Sequence, residues 1–168
     1  RSTHISKIRL GLPKGSLEQA TYALMAKAGY PVRSGSRSYY PTVDDPDIEG
    51  RLVRPPEMPR YAAEGVLDAG ITGADWLAES GVEAVTVGEL EYAKQTASPV
   101  RWVLAVPEES PVRDAADLAG KRVATELVKV TEAYFRKKNV PVQVEFSWGA
   151  TEAKVPELVE AIVELTET

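Results

Sequence analysis

The stretch Lys7-Ile8-Arg9-Leu10-Gly11-Leu12-Pro13-Lys14-Gly15-Ser16-Leu17 decides the fold class. Ile8, Leu10 and Leu12 recur with period two, which predicts a β-strand from Lys7 to Leu12. Pro13 and Gly15 break that run, and Ser16 is a suitable N-cap for a helix from Leu17 to about Ala28. Such a helix places Leu17, Ala20, Leu24 and Ala28 on one face, and Gly29 supplies its stop. A strand that feeds directly into a helix is the unit from which α/β domains are assembled.

The same punctuation recurs outward from this unit. The polar stretch from Arg33 to Pro46 reads as a loop or ragged hairpin, and Ile48 to Val53 as a strand that Pro55-Pro56 ends. A helix follows from Pro59 to Glu64, closed by Gly65. Val66 to Ile71 then reads as a buried strand that turns at Thr72-Gly73-Ala74-Asp75 into a helix carrying Trp76 and Leu77. In the second half, strands are expected at Val100–Val106, Arg122–Thr125, Val142–Phe146 and Ala161–Leu165. Between them lie a short helix over Pro111–Leu118 and a longer one over Val128–Lys138, which ends in the cations a helix C-terminus favours. The loop Ser147-Trp148-Gly149-Ala150-Thr151-Glu152 leads into another short helix. This alternation predicts an α/β protein with largely parallel sheets. The polar Glu91-to-Ser98 stretch divides it into two lobes, 1–95 and 96–168, with ligands in an interlobe cleft at the C-terminal ends of strands.

Composition narrows the function. With 168 residues, 43% hydrophobic and 27% charged, the chain can bury a core and is not disordered. No apolar run reaches the ~18 residues of a membrane span. The start, Arg1-Ser2-Thr3-His4, carries neither Met nor the apolar core of a signal peptide, and reads as either an expression remnant or a trimmed end. The absence of Cys excludes disulfides and thiolate metal sites, and a single His removes most His-based triads and zinc sites. A net charge of −5 argues against nucleic-acid binding. These features leave a cytoplasmic protein that acts on small molecules.

Several strand-to-helix junctions could hold anions. In Leu12-Pro13-Lys14-Gly15-Ser16, Lys14 and the free amides at Gly15 and Ser16 suit an anion, although the same residues also make an N-capped turn with a solvated Lys. It is not a Walker motif, because the second Gly and the longer spacing are missing. Asp68-Ala69-Gly70-Ile71-Thr72-Gly73-Ala74-Asp75 could cradle a phosphate or purine, or could be a tight turn. Arg37, Arg51, Arg54 and Arg60 offer guanidinium forks for phosphate, with Arg54 best placed at a strand end. Gly149-Ala150-Thr151-Glu152 opens a further helix. Glu160 and Glu164 flank the last strand and could hold sugar hydroxyls or Mg²⁺, or could simply be polar strand ends.

In order and spacing, Leu12–Leu17, Arg54-Pro55-Pro56-Glu57-Met58-Pro59-Arg60-Tyr61, Gly65–Trp76, Gly149-Ala150-Thr151-Glu152 and Glu160-Ala161-Ile162-Val163-Glu164 resemble ATP phosphoribosyltransferase, the enzyme of the first step of histidine biosynthesis. Arg122-Val123-Ala124-Thr125-Glu126 and the helix with Tyr134-Phe135 match as well, so the likeness runs from about residue 5 to residue 168. The resemblance implies a two-lobed fold like the type II periplasmic binding proteins. It implies that adenine N1 of ATP attacks C1 of phosphoribosyl pyrophosphate (PRPP) while pyrophosphate leaves with Mg²⁺. It assigns Lys14, Arg37 and Arg54 to phosphate and pyrophosphate, with Arg54 aiding departure. Gly15, Ser16, Asp68, Gly70, Thr72, Gly73 and Thr151 would contact substrate, and Glu160 and Glu164 the ribose, with Mg²⁺ near them. A homo-oligomer is expected.

The family's chain continues past Thr168 with a loop for the 5′-phosphate of PRPP, and the long form adds a histidine-sensing domain. Lys14-Gly15-Ser16 and Ser147-Trp148-Gly149 look more like the long form. A chain ending at Thr168 is expected to bind PRPP weakly and to ignore histidine. The rival expectations are a small-molecule binding module on the same fold and a non-catalytic assembly subunit.

Overall fold

The computed structural model describes residues 7–34, 39–90, 101–147 and 158–165. The chain divides into two compact units, Arg1–Ala97 and Ser98–Thr168.

Three parallel strands organise the first unit. β1 (Ile8–Pro13) lies between β4 (Ile48–Val53) and β5 (Ala69–Gly70), with the short antiparallel pair β2 (Val32–Arg33) and β3 (Thr42–Val43) apart from them. Register runs Ile8↔Ile48 to Pro13↔Val53 on one side, and Leu10↔Ala69 and Gly11↔Gly70 on the other. As the central strand, β1 is covered increasingly toward its C-terminal end: Ile8 is exposed, while Gly11, Leu12 and Pro13 are buried. The buried strand expected from Val66 is shorter than its hydropathy suggests. Val66 and Leu67 both donate backbone N–H groups to Tyr61 O, so they turn, and only Ala69–Gly70 is ladder.

The helices are α1 (Glu18–Lys27), α2 (Met58–Ala63) and α3 (Ala74–Ser80), with a 3₁₀ turn at Pro55–Glu57 leading into α2. Met58, 1% exposed, packs with Val53 and Leu67, and its thioether fills the space above Gly11 and Gly70. A Cβ at Gly70 would stand 2.7 Å from Met58 Cγ. A side chain at either glycine would therefore force Met58 to shift.

Helix α1 departs from expectation in two ways. Ser16 is not its cap. Gly15 takes φ +106° and Glu18 N–H bonds to Gly15 O at 3.0 Å, so a turn intervenes and the helix begins from Leu17, which has no side-chain cap. The helix is also rotated relative to the expected face. Leu17 is 40% exposed and Ala28 is exposed, whereas Thr21 is fully buried. Thr21 tolerates this because its hydroxyl donates to Leu17 O at 2.7 Å.

Gly50 makes a firmer steric demand than Gly11 or Gly70. A Cβ there would lie 2.8 Å from the backbone oxygen of Pro41, which cannot swing aside as a methionine side chain can. Gly50→Ala is expected to cost about 1–3 kcal/mol in denaturant unfolding; a loss below ~0.5 kcal/mol would show that the β3 hairpin yields freely.

The second unit holds a sheet in the order β6 (Trp102–Ala105), β9 (Ala161–Leu165), β7 (Arg122–Thr125), β8 (Gln143–Phe146). Here β7 runs parallel to both neighbours, while β6 is antiparallel to β9. Helix α4 (Val128–Lys137) lays Phe135 against Ala115, Leu118, Val123 and Ala161. It ends in Arg136 and Lys137, and Asn139 at φ +59° supplies the left-handed stop that Gly provides elsewhere. The helix expected over Pro111–Leu118 is only a 3₁₀ turn, Ala115–Leu118, whose start is fixed by a capping box between Asp114 and Asp117.

Candidate functional site

In a parallel sheet, the backbone leaves every strand at one edge, and ligands of open α/β folds bind at that C-terminal edge. In the first unit, β1 delivers Lys14 there, β4 delivers Arg54, and β5 delivers Thr72. Hydrogen bonds hold these exits together. Lys14 N–H donates to Val53 O at 3.0 Å, Ile71 N–H donates to Gly11 O at 3.1 Å, and the Thr72 hydroxyl donates to Pro55 O at 3.0 Å.

The side chains at this edge differ in their partners. Lys14 Nζ donates to Tyr39 Oη at 3.0 Å. Arg54 lies 3.9 Å from Glu57 across an exposed pair. Gly15 and Ser16 are exposed in the turn before α1. Gly73 precedes α3, but Asp75 folds its carboxylate back over that helix start and accepts from Trp76 N–H at 2.8 Å. Tyr39 was not singled out from the sequence; its only signal was a pair of adjacent tyrosines, Tyr39-Tyr40, in a largely polar stretch.

Asp68 occupies the opposite edge, level with Arg9. Its carboxylate accepts from Arg9 N–H at 2.8 Å, Nε at 3.1 Å and Nη2 at 3.0 Å. The guanidinium hydrogen bond, joined by the backbone one, holds the Asp68 carboxyl down at about 2. The second unit repeats this clamp. Glu160 accepts from Arg122 N–H at 3.0 Å, Nε at 3.3 Å and Nη2 at 3.2 Å, which keeps its carboxyl below the usual range.

Glu160 and Glu164 are consequently not a pair. Glu160 precedes β9, whereas Glu164 lies beyond the level of Thr125 at the C-terminal end. Four residues of strand separate them by about 13 Å, too far for joint coordination of one Mg²⁺. Among the described residues, no group of three or more His, Cys, Asp or Glu could hold a metal ion. Arg37 and Thr151 lie outside the described residues.

The sequence profile of the ATP phosphoribosyltransferase family matches residues 54–168. The chain belongs to that family. It is 59% identical over 162 residues to an ATP phosphoribosyltransferase of Koribacter versatilis, and 53% identical over 161 residues to one of Thermodesulfovibrio yellowstonii. Each alignment takes in 96% of this chain but 56% and 55% of the relative, so the chain spans about half the length of these relatives. Among solved structures, the ATP phosphoribosyl transferase (HisG:HisZ) complex from Thermotoga maritima superposes with a TM-score of 0.76 at 28% identity, covering 96% of this chain and 75% of that one. The periplasmic aliphatic sulphonate binding protein of Escherichia coli superposes at 0.51 with 20% identity, over 94% of this chain and 53% of that chain; this likeness is one of fold. Family membership thus joins a fold of the periplasmic-binding-protein type. No described helix is long and apolar enough to cross a membrane.

Proposed function

We propose that this chain is catalytic-region sequence of an ATP phosphoribosyltransferase, joining ATP to PRPP and releasing pyrophosphate in the cytoplasm. The observation that carries the reading is the convergence of Lys14, Arg54 and Thr72 on one sheet edge. In the reaction the lone pair of adenine N1 forms the bond to C1 of PRPP as the C1–oxygen bond breaks, its electron pair leaving on pyrophosphate. Purine N1 is already a nucleophile, so no His or Cys is required. The barrier lies in bringing two polyanions together and in stabilising the charge on the departing group.

Lys14 and Arg54 meet that demand, with Arg37 as a third cation and Arg54 directed at the leaving group. Gly15 and Ser16 offer amides to phosphate, Gly70, Thr72 and Gly73 line the nucleotide side, Thr151 contributes to the phosphate contacts, and Glu164 meets the ribose. Mg²⁺, carried on the phosphates, would neutralise charge on pyrophosphate. Asp68 and Glu160 serve as anchors that tie strand to strand through Arg9 and Arg122. Assembly as a homo-oligomer is part of the same proposal, checked by sedimentation equilibrium.

The test is pyrophosphate release in Mg²⁺ buffer with ATP, PRPP or both, using this sequence within a chain as long as its relatives. Release that requires both substrates is expected. Binding of either ligand without release would identify a binding module instead.

The anchor role predicts a pH signature. Asp68 has a folded-state pKa of about 2, below the ~3.9 of a free aspartate, so the unfolded chain binds more protons between these values. Its stabilising contribution is complete above about pH 4 and disappears as pH falls through about 2. Asp68→Asn is expected to lower stability at neutral pH and to flatten the acid limb of the unfolding profile. A parallel downward shift at every pH would show that the lost contribution is not the charged pair.

A further inference from the structure

Lys14 and Tyr39 form a donor pair whose geometry goes further than a lysine at a strand end. Lys14 Nζ donates to Tyr39 Oη at 3.0 Å and also lies 4.4 Å from the centroid of the Tyr39 ring. Burial does not impose the contact, because Tyr39 is 56% exposed. The backbones of both residues are tied to the end of β4. Leu52 N–H donates to Tyr39 O at 2.8 Å, and Lys14 N–H donates to Val53 O at 3.0 Å, immediately before Arg54. The pair is therefore held beside the exit of β4 although 25 positions separate its members in the chain.

Donor accounting shows what the pair can receive. An ammonium has three N–H donors and no acceptor. One is engaged by Tyr39, leaving two. Because Tyr39 Oη accepts from Lys14, its own proton is directed elsewhere. The pair thus presents donors from two side chains, which suits an anion with several adjacent oxygens. The cation over the ring face adds an attraction that holds the ammonium in place. The lysine hydrogen bond and charge also hold the phenol below its ordinary range, making its hydroxyl a better donor.

We propose that Tyr39 is a positioning residue for Lys14 and a hydroxyl donor to the phosphate chain bound at this edge. The proposal rests on the reading of the edge as a polyphosphate site and adds a residue to it. Tyr39→Phe retains the ring and removes only the hydroxyl; Tyr39→Ala removes both. With inorganic pyrophosphate as the probe, calorimetric titration is expected to show at least about tenfold weaker binding for Tyr39→Phe, and weaker still for Tyr39→Ala. Thermal midpoints should stay close to that of the parent, given the exposure of the ring. In alkaline absorbance titration, pyrophosphate should raise the pKa of one phenol in the parent, and that component should be missing from Tyr39→Phe.

The outcomes separate the two readings. If Tyr39→Phe binds pyrophosphate as the parent does while Lys14→Ala loses it, the role of Tyr39 is overturned and the site survives. A phenol titration unmoved by bound pyrophosphate overturns the direct contact. If the parent does not bind pyrophosphate, or if neither Tyr39→Phe nor Lys14→Ala changes its affinity, the polyphosphate reading of the edge falls together with the proposal.

Discussion

Arg54→Ala, introduced into this sequence within a chain as long as its relatives, is expected to lower kcat about 10²–10³-fold while changing ATP affinity only a few-fold. Arg54 follows β4 directly, in an extended conformation with φ −64° and ψ 133°, and Pro55 and Pro56 stiffen the chain behind it. Its ion pair with Glu57 spans 3.9 Å between side chains 37% and 39% exposed, the kind of contact worth at most about 1 kcal/mol. Exchanging that carboxylate for departing pyrophosphate is favourable on charge alone. With Arg54 at the leaving group, as proposed, the interaction would strengthen as negative charge accumulates on the leaving oxygen, so its loss would fall on the transition state more than on the ground state. Arg54→Lys should recover part of the rate, since it restores the charge without the fork. Steady-state kinetics combined with ATP titration checks this. Equal losses in kcat and in ATP affinity would make Arg54 a ground-state anchor.

The second large effect concerns stability. Phe135→Ala is expected to cost about 3–5 kcal/mol in the unfolding of the Ser98–Thr168 unit. Phe135 is 1% exposed and packs with Ala115, Leu118, Val123 and Ala161, so it joins α4 to β7, β9 and the 3₁₀ turn before β7. Its neighbours belong to three separate elements, and their backbones cannot all close on the space left by a phenyl ring. Domains of this size are commonly stable by only 5–15 kcal/mol, so the loss is a large share of the total. Phe135→Leu keeps most of the volume and should cost much less. Denaturant unfolding followed by tryptophan fluorescence measures both. A cost under ~1 kcal/mol for the alanine variant would mean that Phe135 does not hold this core together.

Several elements were legible in the chain itself. Ile48–Val53, Arg122–Thr125 and Ala161–Leu165 are strands with the bounds that their apolar patterning and flanking breakers indicated. The helix ending in Arg136 and Lys137 was also readable, because terminal cations are a local signal. The exit at Arg54 follows from the Ile48–Val53 strand, and that at Lys14 from the period-two run before it, once the strands are taken as parallel.

Partner choice across strands was not legible. Arg9 finds Asp68 across 59 positions and Arg122 finds Glu160 across 38, and each clamp turns a carboxylate read as a substrate contact toward a neighbouring strand. Nothing local to Glu160 distinguishes it from Glu164, yet the direction of β9 sends them to opposite edges. Likewise, Leu17 is exposed because it stands at the N-cap of α1, Thr21 is the residue that helix buries, and the close approach of Met58 to Gly11 and Gly70 comes from another element. Apolar period and turn chemistry act over a few residues and can be read along the chain. Register, edge and side-chain partner depend on which strands become neighbours, and packing alone sets that.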